Sequence, residues 1–99
     1  MKELDIKRIT DFLATQPVMK AWLFGSYARG EASEDSDVDI LVSFDKNTRI
    51  GMKFITIVNS LESILQRQVD LVEEGSLLPW VKPFVDKEKI LIYEGKNKG

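Results

Sequence analysis

Two acidic residues on a predicted strand and a glycine–serine pair just before it suggest chemistry on phosphate groups. Gly25-Ser26 is followed, after ten residues, by Asp37-Val38-Asp39, which opens the apolar run Ile40-Leu41-Val42. Alternate residues of a strand point to the same face, so Asp37 and Asp39 should project together. Paired carboxylates can bind two divalent ions about 3.5–4 Å apart, an arrangement that suits displacement at phosphorus. The spacing therefore indicates a site for divalent metal and a nucleoside triphosphate.

The pair Gly25-Ser26 suits a bound phosphate because glycine lets backbone N–H groups approach a ligand closely. A helix that begins here would direct its first N–H groups toward phosphate oxygens. Ser26 can add a hydroxyl donor, and Arg29, one helical turn on, can reach the same phosphate. The corner is not a Walker loop, because no Gly-Lys-Ser or Gly-Lys-Thr occurs. Taken alone, such a pair is equally typical of an ordinary strand-to-helix turn.

A third carboxylate is expected from a neighbouring strand, about 4.8 Å away. Asp70 is the candidate, because it is an acid within the apolar stretch Val69–Val72. Close like charges are unfavourable in a partly buried site unless a cation neutralises them, which favours a metal among Asp37, Asp39 and Asp70. A single strand aspartate can instead bond a nearby amide. The other acids near these motifs are interpreted as solvated surface: Glu31, Glu34, Asp35, Glu73 and Glu74.

The composition limits the possible chemistry. Among 99 residues there is no cysteine and no histidine, which excludes disulfides, thiolate metal sites and imidazole bases. Oxygen-ligated ions such as Mg²⁺ or Mn²⁺ remain. The net charge of −2 argues against direct nucleic-acid binding, which usually needs a basic face. No long apolar span and no signal-peptide core occur, so we expect a cytoplasmic protein without membrane contact.

Alternating helix and strand patterns predict one α/β domain over residues 1–95, with 96–99 as a disordered tail. The predicted elements are strands over 18–24, 38–44, 69–72 and 90–93, and helices over 4–14, 27–30 and 49–66.

The segment after the third strand is less regular. Ser76 is expected to cap a brief helix with Pro79 early in it, and Pro83 to limit its regularity. Most of the apolar cluster in this segment is expected to be core. The cluster consists of Leu77, Leu78, Trp80, Val81 and Phe84. If Trp80 or Phe84 is exposed, it becomes a candidate docking surface instead.

Together these motifs resemble the minimal nucleotidyltransferases of the polymerase-β-like superfamily. The resemblance is carried by Gly25-Ser26, Asp37-Val38-Asp39 and Val69–Val72, and extends from the first helix to Ile90–Tyr93. It implies an α/β (α+β) nucleotidyltransferase fold with a small mixed sheet of about four strands flanked by helices. It also implies magnesium-dependent transfer of a nucleoside monophosphate, AMP from ATP, to a hydroxyl acceptor with release of pyrophosphate.

The resemblance assigns a role to each site residue. Asp37 and Asp39 would hold two Mg²⁺ ions during catalysis, and Asp70 would hold the catalytic ion and help to deprotonate the acceptor. Gly25-Ser26 would grip the terminal phosphates of ATP, with Arg29 assisting. Catalysis would then rest on positioning and charge stabilisation, which suits a chain without histidine.

The resemblance also implies a partner. Minimal members often occur as antitoxins paired with a HEPN-domain ribonuclease toxin, so the expected acceptor is a tyrosine of such a toxin. Two alternatives stay open: an antitoxin that neutralises by binding and occlusion without chemistry, and transfer to a small molecule such as an aminoglycoside. Base preference and the choice between homo- and hetero-oligomer are not determined by the sequence.

Overall fold

Four strands form one mixed sheet in the computed structural model, which describes residues 4–95. The elements are α1 (Ile6–Leu13), β1 (Val18–Phe24), α2 (Gly25–Arg29), β2 (Val38–Phe44), α3 (Lys53–Leu65), β3 (Val69–Glu73), a 3₁₀ turn (Glu74–Ser76), α4 (Lys82–Glu88) and β4 (Ile90–Glu94). The strand order is β3-β2-β1-β4. β2 and β3 are parallel, whereas β1 runs antiparallel to β2 and β4. The expected small mixed sheet flanked by helices is confirmed.

One face of the sheet packs against α1 and α3 and forms the main hydrophobic core. Side chains alternate along a strand, so every second residue of β2 points to this face. The buried residues of this core are Ile9, Leu13, Val18, Ala21, Leu23, Val38, Ile40, Val42, Ile57, Leu61, Val69 and Leu71. Ile57 and Leu61 of α3 are fully buried against the sheet, and Phe54, Val58 and Leu65 of the same helix pack partly buried beside them.

The opposite face carries a smaller core beneath α4. Trp22 and Leu41 from the sheet pack against Val85 of α4. Lys89, just after α4, places its Nζ atom 4.6 Å from the centre of the Trp22 ring, a cation–π contact. By the alternation of β2, Asp39 also belongs to this face. The sheet therefore separates a face that stabilises the fold from a face that carries the predicted site.

α1 begins at Ile6, two residues later than predicted, and the starts of α2 and α3 differ from the predicted ones because the local backbone decides them. α3 begins at Lys53, not near residue 49, since Gly51 takes a left-handed φ of 47° and interrupts the helical backbone. α2 begins at Gly25, two residues earlier than predicted, directly at the end of β1. The first turn of α2 thus includes the predicted phosphate corner.

The segment between β3 and α4 differs most from its prediction. Ser76 caps no helix, because its hydroxyl donates to the carbonyl of Glu73 at 2.8 Å. Pro79 precedes α4, which begins at Lys82. Pro83 lies in the first turn of α4, where a backbone N–H has no partner to lose, so it does not disturb the helix.

The apolar cluster of this segment is mostly exposed, and its prediction as mainly core is wrong. Leu77 and Val81 pack partly against the smaller core. Leu78, Trp80 and Phe84 are exposed. The physical reason is that α4 is short and turns only one face, that of Val85, toward the sheet.

β4 is an edge strand beside β1, as predicted. The predicted tail over 96–99 lies outside the described residues. Across residues 4–95, every helix is too short or too polar to cross a membrane.

We expect Leu61→Ala to lower the free energy of unfolding by about 2–5 kcal/mol, because Leu61 is fully buried between α3 and the sheet. Ile55→Ala on the same helix is the matched control. Ile55 is 53% exposed, so its truncation should change stability by less than about 1 kcal/mol. Urea unfolding of both variants measures the difference. Equal losses would contradict the packing of α3 described above.

Candidate active site

The register of the sheet places two of the predicted aspartates side by side. Asp39 of β2 pairs directly with Asp70 of β3 in the parallel ladder. Paired residues of neighbouring strands share a face, and the strands lie about 4.8 Å apart. Asp37 comes directly before β2, and Phe24, the last residue of β1, is the antiparallel partner of Asp39. The end of β1 and the starts of β2 and β3 therefore form one corner of the sheet, and α2 begins at this corner.

The electrostatics of Asp39 show that these acids form one cluster. Asp39 is partly buried, whereas Asp37 and Asp70 are exposed. The pKa of Asp39 is raised, first by burial and then by the negative charges of Asp70 and Asp37. The positive charge of Arg29 acts in the opposite direction, and Glu88 raises the pKa of Asp39 slightly further. A cation among these carboxylates would relieve their mutual repulsion.

The backbone of Gly25 lies close to the side chain of Asp39, and this position requires glycine for two reasons. Its φ of +71° lies in the left-handed region that other residues avoid. A Cβ atom at this position would stand 2.1 Å from the Oδ2 atom of Asp39. The bare backbone of Gly25 therefore forms one wall of the carboxylate cluster, and Ser26 follows it in the same turn of α2.

Arg29 lies at the end of α2 and is held by two glutamates. Its Nε atom is 2.8 Å from Oε1 of Glu31, and its Nη1 atom is 2.8 Å from Oε2 of Glu88. The positive charge of the guanidinium also lowers the pKa of Asp39. Two of its three nitrogens already have carboxylate partners, so a phosphate group that binds Arg29 competes with the negative charges of Glu31 and Glu88.

Glu88 was not singled out from the sequence, and Glu31 was interpreted as solvated loop. No motif marks Glu88, which stands at the end of α4, far from the aspartates along the chain. Its side chain is 24% exposed in the pair with Arg29, against 65% for Glu31. Only the packing of α4 over β1 and β2 brings Glu88 to the corner.

The chemistry of this donor set fits a hard divalent cation. The cluster offers carboxylate oxygens only, the ligands that Mg²⁺ prefers, and their repulsion favours a positive ion. Within residues 4–95, no group of three acidic side chains is already arranged as a complete metal site. Asp37 and Asp70 are exposed, so rotation of their side chains can bring oxygens toward Asp39 without disturbing the core.

Comparison with known proteins supports the predicted chemistry. The family described as "Nucleotidyltransferase domain" matches residues 6–93, a range that includes Gly25-Ser26, Arg29 and the three aspartates. The chain belongs to this family. It is an enzyme of the nucleotidyltransferase class, and the predicted resemblance to the minimal members is confirmed by the relatives that follow.

Three similar proteins define its place in the family. Protein adenylyltransferase MntA of Thermococcus cleftensis is 44% identical over 75 residues, which cover 76% of this chain and 75% of MntA. A provisionally named minimal nucleotidyltransferase has a similar structure, with a TM-score of 0.74, 34% identity and 86% of each chain covered. A chain from a toxin–antitoxin crystal structure with AMP-PNP gives a TM-score of 0.79 and 26% identity, covering 96% of this chain and 77% of that one.

We expect Gly25→Ala to reduce nucleotidyl transfer by about 100-fold or more, because the new Cβ must displace the carboxylate of Asp39 by more than an ångström. Gly30→Ala is the matched control. Gly30 has an equal left-handed φ of +72°, but a Cβ there meets nothing within 4 Å. Both variants should lose about 1–2 kcal/mol of stability from backbone strain. Pyrophosphate release and urea unfolding measure the two effects, and equal activity losses would contradict the role of the close contact.

We expect Glu88→Gln to strengthen AMP-PNP binding about two- to fivefold at low salt, because it removes a negative charge that pairs with Arg29 beside the predicted phosphate corner. Glu31→Gln should have a smaller effect, since Glu31 is more exposed and its charge is better screened by water. Isothermal titration calorimetry at two salt concentrations measures both. Weaker binding by Glu88→Gln would show that the glutamate holds Arg29 in its productive position.

Proposed function

We propose that this chain is an antitoxin enzyme that transfers AMP from ATP to a tyrosine of a HEPN-type ribonuclease toxin in the cytoplasm. One observation carries the proposal. The chain belongs to the nucleotidyltransferase family, and its Asp39 lies between Asp70 and the backbone of Gly25 at one corner of the sheet. The name of the MntA relative, a protein adenylyltransferase, supports AMP and a protein acceptor. The neighbour from the toxin–antitoxin structure, solved with an ATP analogue, supports ATP and a toxin partner.

Each residue of the corner has a task in this reaction. Asp37, Asp39 and Asp70 would hold Mg²⁺, which supplies positive charge against the triphosphate. The acceptor oxygen attacks the α-phosphorus of ATP, the bond to the bridging oxygen breaks, and pyrophosphate leaves. Asp70 takes the hydroxyl proton, because it is exposed on the edge strand β3 where an acceptor can approach. Gly25-Ser26 and Arg29 hold the terminal phosphates in line with the leaving bond.

Neutralisation by binding alone is the second candidate function. Trp80, just before α4, and Phe84, on α4, are exposed, so a partner could be held tightly without any chemistry. The two functions are compatible, because a complex can both bind and modify the toxin. They differ in what the aspartates do.

The test is co-expression with a HEPN-type toxin, followed by intact-mass measurement of the toxin. The wild-type chain should add AMP, and Asp39→Asn should reduce the rate of addition by at least about 100-fold. Asp35→Asn, in the exposed loop before β2, is the matched control and should retain activity. With purified proteins, EDTA should abolish the reaction and added Mg²⁺ should restore it.

Three outcomes would overturn parts of the proposal. A toxin left unmodified by the wild-type chain with every one of the nucleoside triphosphates would refute the transfer. An adduct that persists in Asp39→Asn would remove the assigned role of that residue. Full neutralisation by an Asp37→Asn, Asp39→Asn double variant, without an adduct, would favour binding and occlusion.

A further inference from the structure

Three large apolar side chains are exposed together in the segment that leads into α4. Leu78, Trp80 and Phe84 are 55%, 69% and 70% exposed. Clustered exposed apolar groups of this size mark surfaces that bind another molecule, whereas single ones need no explanation. The segment itself is firmly placed, because Val81 and Val85 turn inward against Trp22 and Leu41. Trp80 and Phe84 therefore stand out from a fixed support.

Phe84 lies in line with the candidate active site. Residues four apart on a helix lie on the same side, so Phe84 and Glu88 of α4 form one stripe. Four residues rise about 6 Å, which puts Phe84 about 6 Å from Glu88 along the axis. Trp80 lies in the turn that precedes α4, where the N–H of Lys82 donates to the carbonyl of Leu78 at 3.0 Å. Glu88 bonds Arg29, and thus the stripe ends at the catalytic corner.

The charge around that corner adds a second property of the surface. Four carboxylates interact electrostatically with Asp39 or form ion pairs with Arg29, namely Asp37, Asp70, Glu31 and Glu88. Arg29 is the positive charge that these interactions involve. Two Mg²⁺ ions and one ATP roughly cancel each other, so the corner stays negative when loaded. A molecule that fits this surface has an apolar recess for two aromatic rings and basic groups near its hydroxyl.

We propose that the Trp80–Phe84 surface docks the protein that carries the acceptor hydroxyl. The inference rests on the proposed function and adds to it the site of contact. The occupant is a protein because it has to cover Trp80 and Phe84 and still reach the aspartates, which lie beyond Glu88, a full helical turn from Phe84. A small acceptor could contact the aspartates or the aromatic surface, but not both. A second copy of this chain seated on the surface is a separate outcome of the test.

The experiment measures adenylylation of the HEPN-type toxin by Trp80→Ala and Phe84→Ala. The KM for the toxin should rise at least about tenfold in each variant, as for central aromatic residues of an interface. The KM for ATP and the rate of transfer to N-acetyl-tyrosinamide, a small acceptor, should stay within about twofold of wild type. Both side chains are exposed, so the urea unfolding midpoint should be unchanged.

Met52→Ala and Ile55→Ala are the matched controls. Met52 and Ile55 are 77% and 53% exposed, at the start of α3 on the other face of the sheet. Their truncation should leave the KM for the toxin unchanged. An equal rise in all four variants would indicate a general loss of exposed apolar surface and would overturn the proposal.

Calorimetric affinity for the toxin separates failure of the docking surface from failure of the function. Binding by the wild-type chain without modification, weakened tenfold in Trp80→Ala, would refute the transfer and keep the surface. Modification with an unchanged KM and Kd in both variants would refute the surface and keep the function. Neither binding nor modification would refute both. Self-association of the chain that is lost in Trp80→Ala, with toxin affinity intact, would assign the surface to a second copy.

Discussion

The repulsion among three carboxylates at one corner of the sheet is the constraint to which the rest of the site responds. Parallel pairing of β2 with β3 forces Asp39 beside Asp70, and β1 closes the corner from the other side. Burial of Asp39 makes its charge more unfavourable, as the raised pKa of that carboxyl shows. Exposure of Asp37 and Asp70 keeps the repulsion tolerable, because water screens their charges. The same arrangement favours a divalent cation and the triphosphate that accompanies it.

The sheet can hold such an unfavourable cluster because its other face supplies the stability. α1 and α3 cover that face with fully buried aliphatic side chains, and none of the acids of the corner points there. The functional face is covered only in part, by the small core around Trp22 and Val85. The open part leaves the aspartates accessible to a large acceptor. Stability and reactivity are therefore divided between the two faces of one sheet.

α4 connects the parts of the functional face. Its buried side fixes the helix on Trp22, and Lys89 fixes its end through the Trp22 ring and through Asp86 at 2.9 Å. Its last residue, Glu88, reaches Arg29, while its outer side presents Phe84 to solvent. A protein seated on α4 would touch the helix that holds the arginine of the phosphate corner. Recognition of a partner and the state of Arg29 thus share one structural element.

The sequence by itself determined the strands and the family, and it predicted the residues of the candidate site. β1 and β2 have the predicted bounds, because mainly apolar runs between turn residues specify buried strands locally. Asp37, Asp39 and Gly25 could be singled out as candidates because a metal and a phosphate would require these residue types at a fixed spacing along the chain. Here local sequence is enough, since neighbours along the chain remain neighbours in the fold.

Tertiary structure alone decided the pairing of Arg29 with Glu88 and the exposure of Trp80 and Phe84. Glu88 reaches Arg29 across 59 residues of chain, a contact that no local pattern encodes. Apolar content predicted that most of the cluster around α4 would be core and left the exposure of Trp80 and Phe84 open, because burial depends on which side of a short helix meets the sheet. The register of β2 against β3 was likewise decided by tertiary structure, because pairing between strands is a property of the assembled sheet. These are contacts between distant segments, and packing of the whole domain selects them.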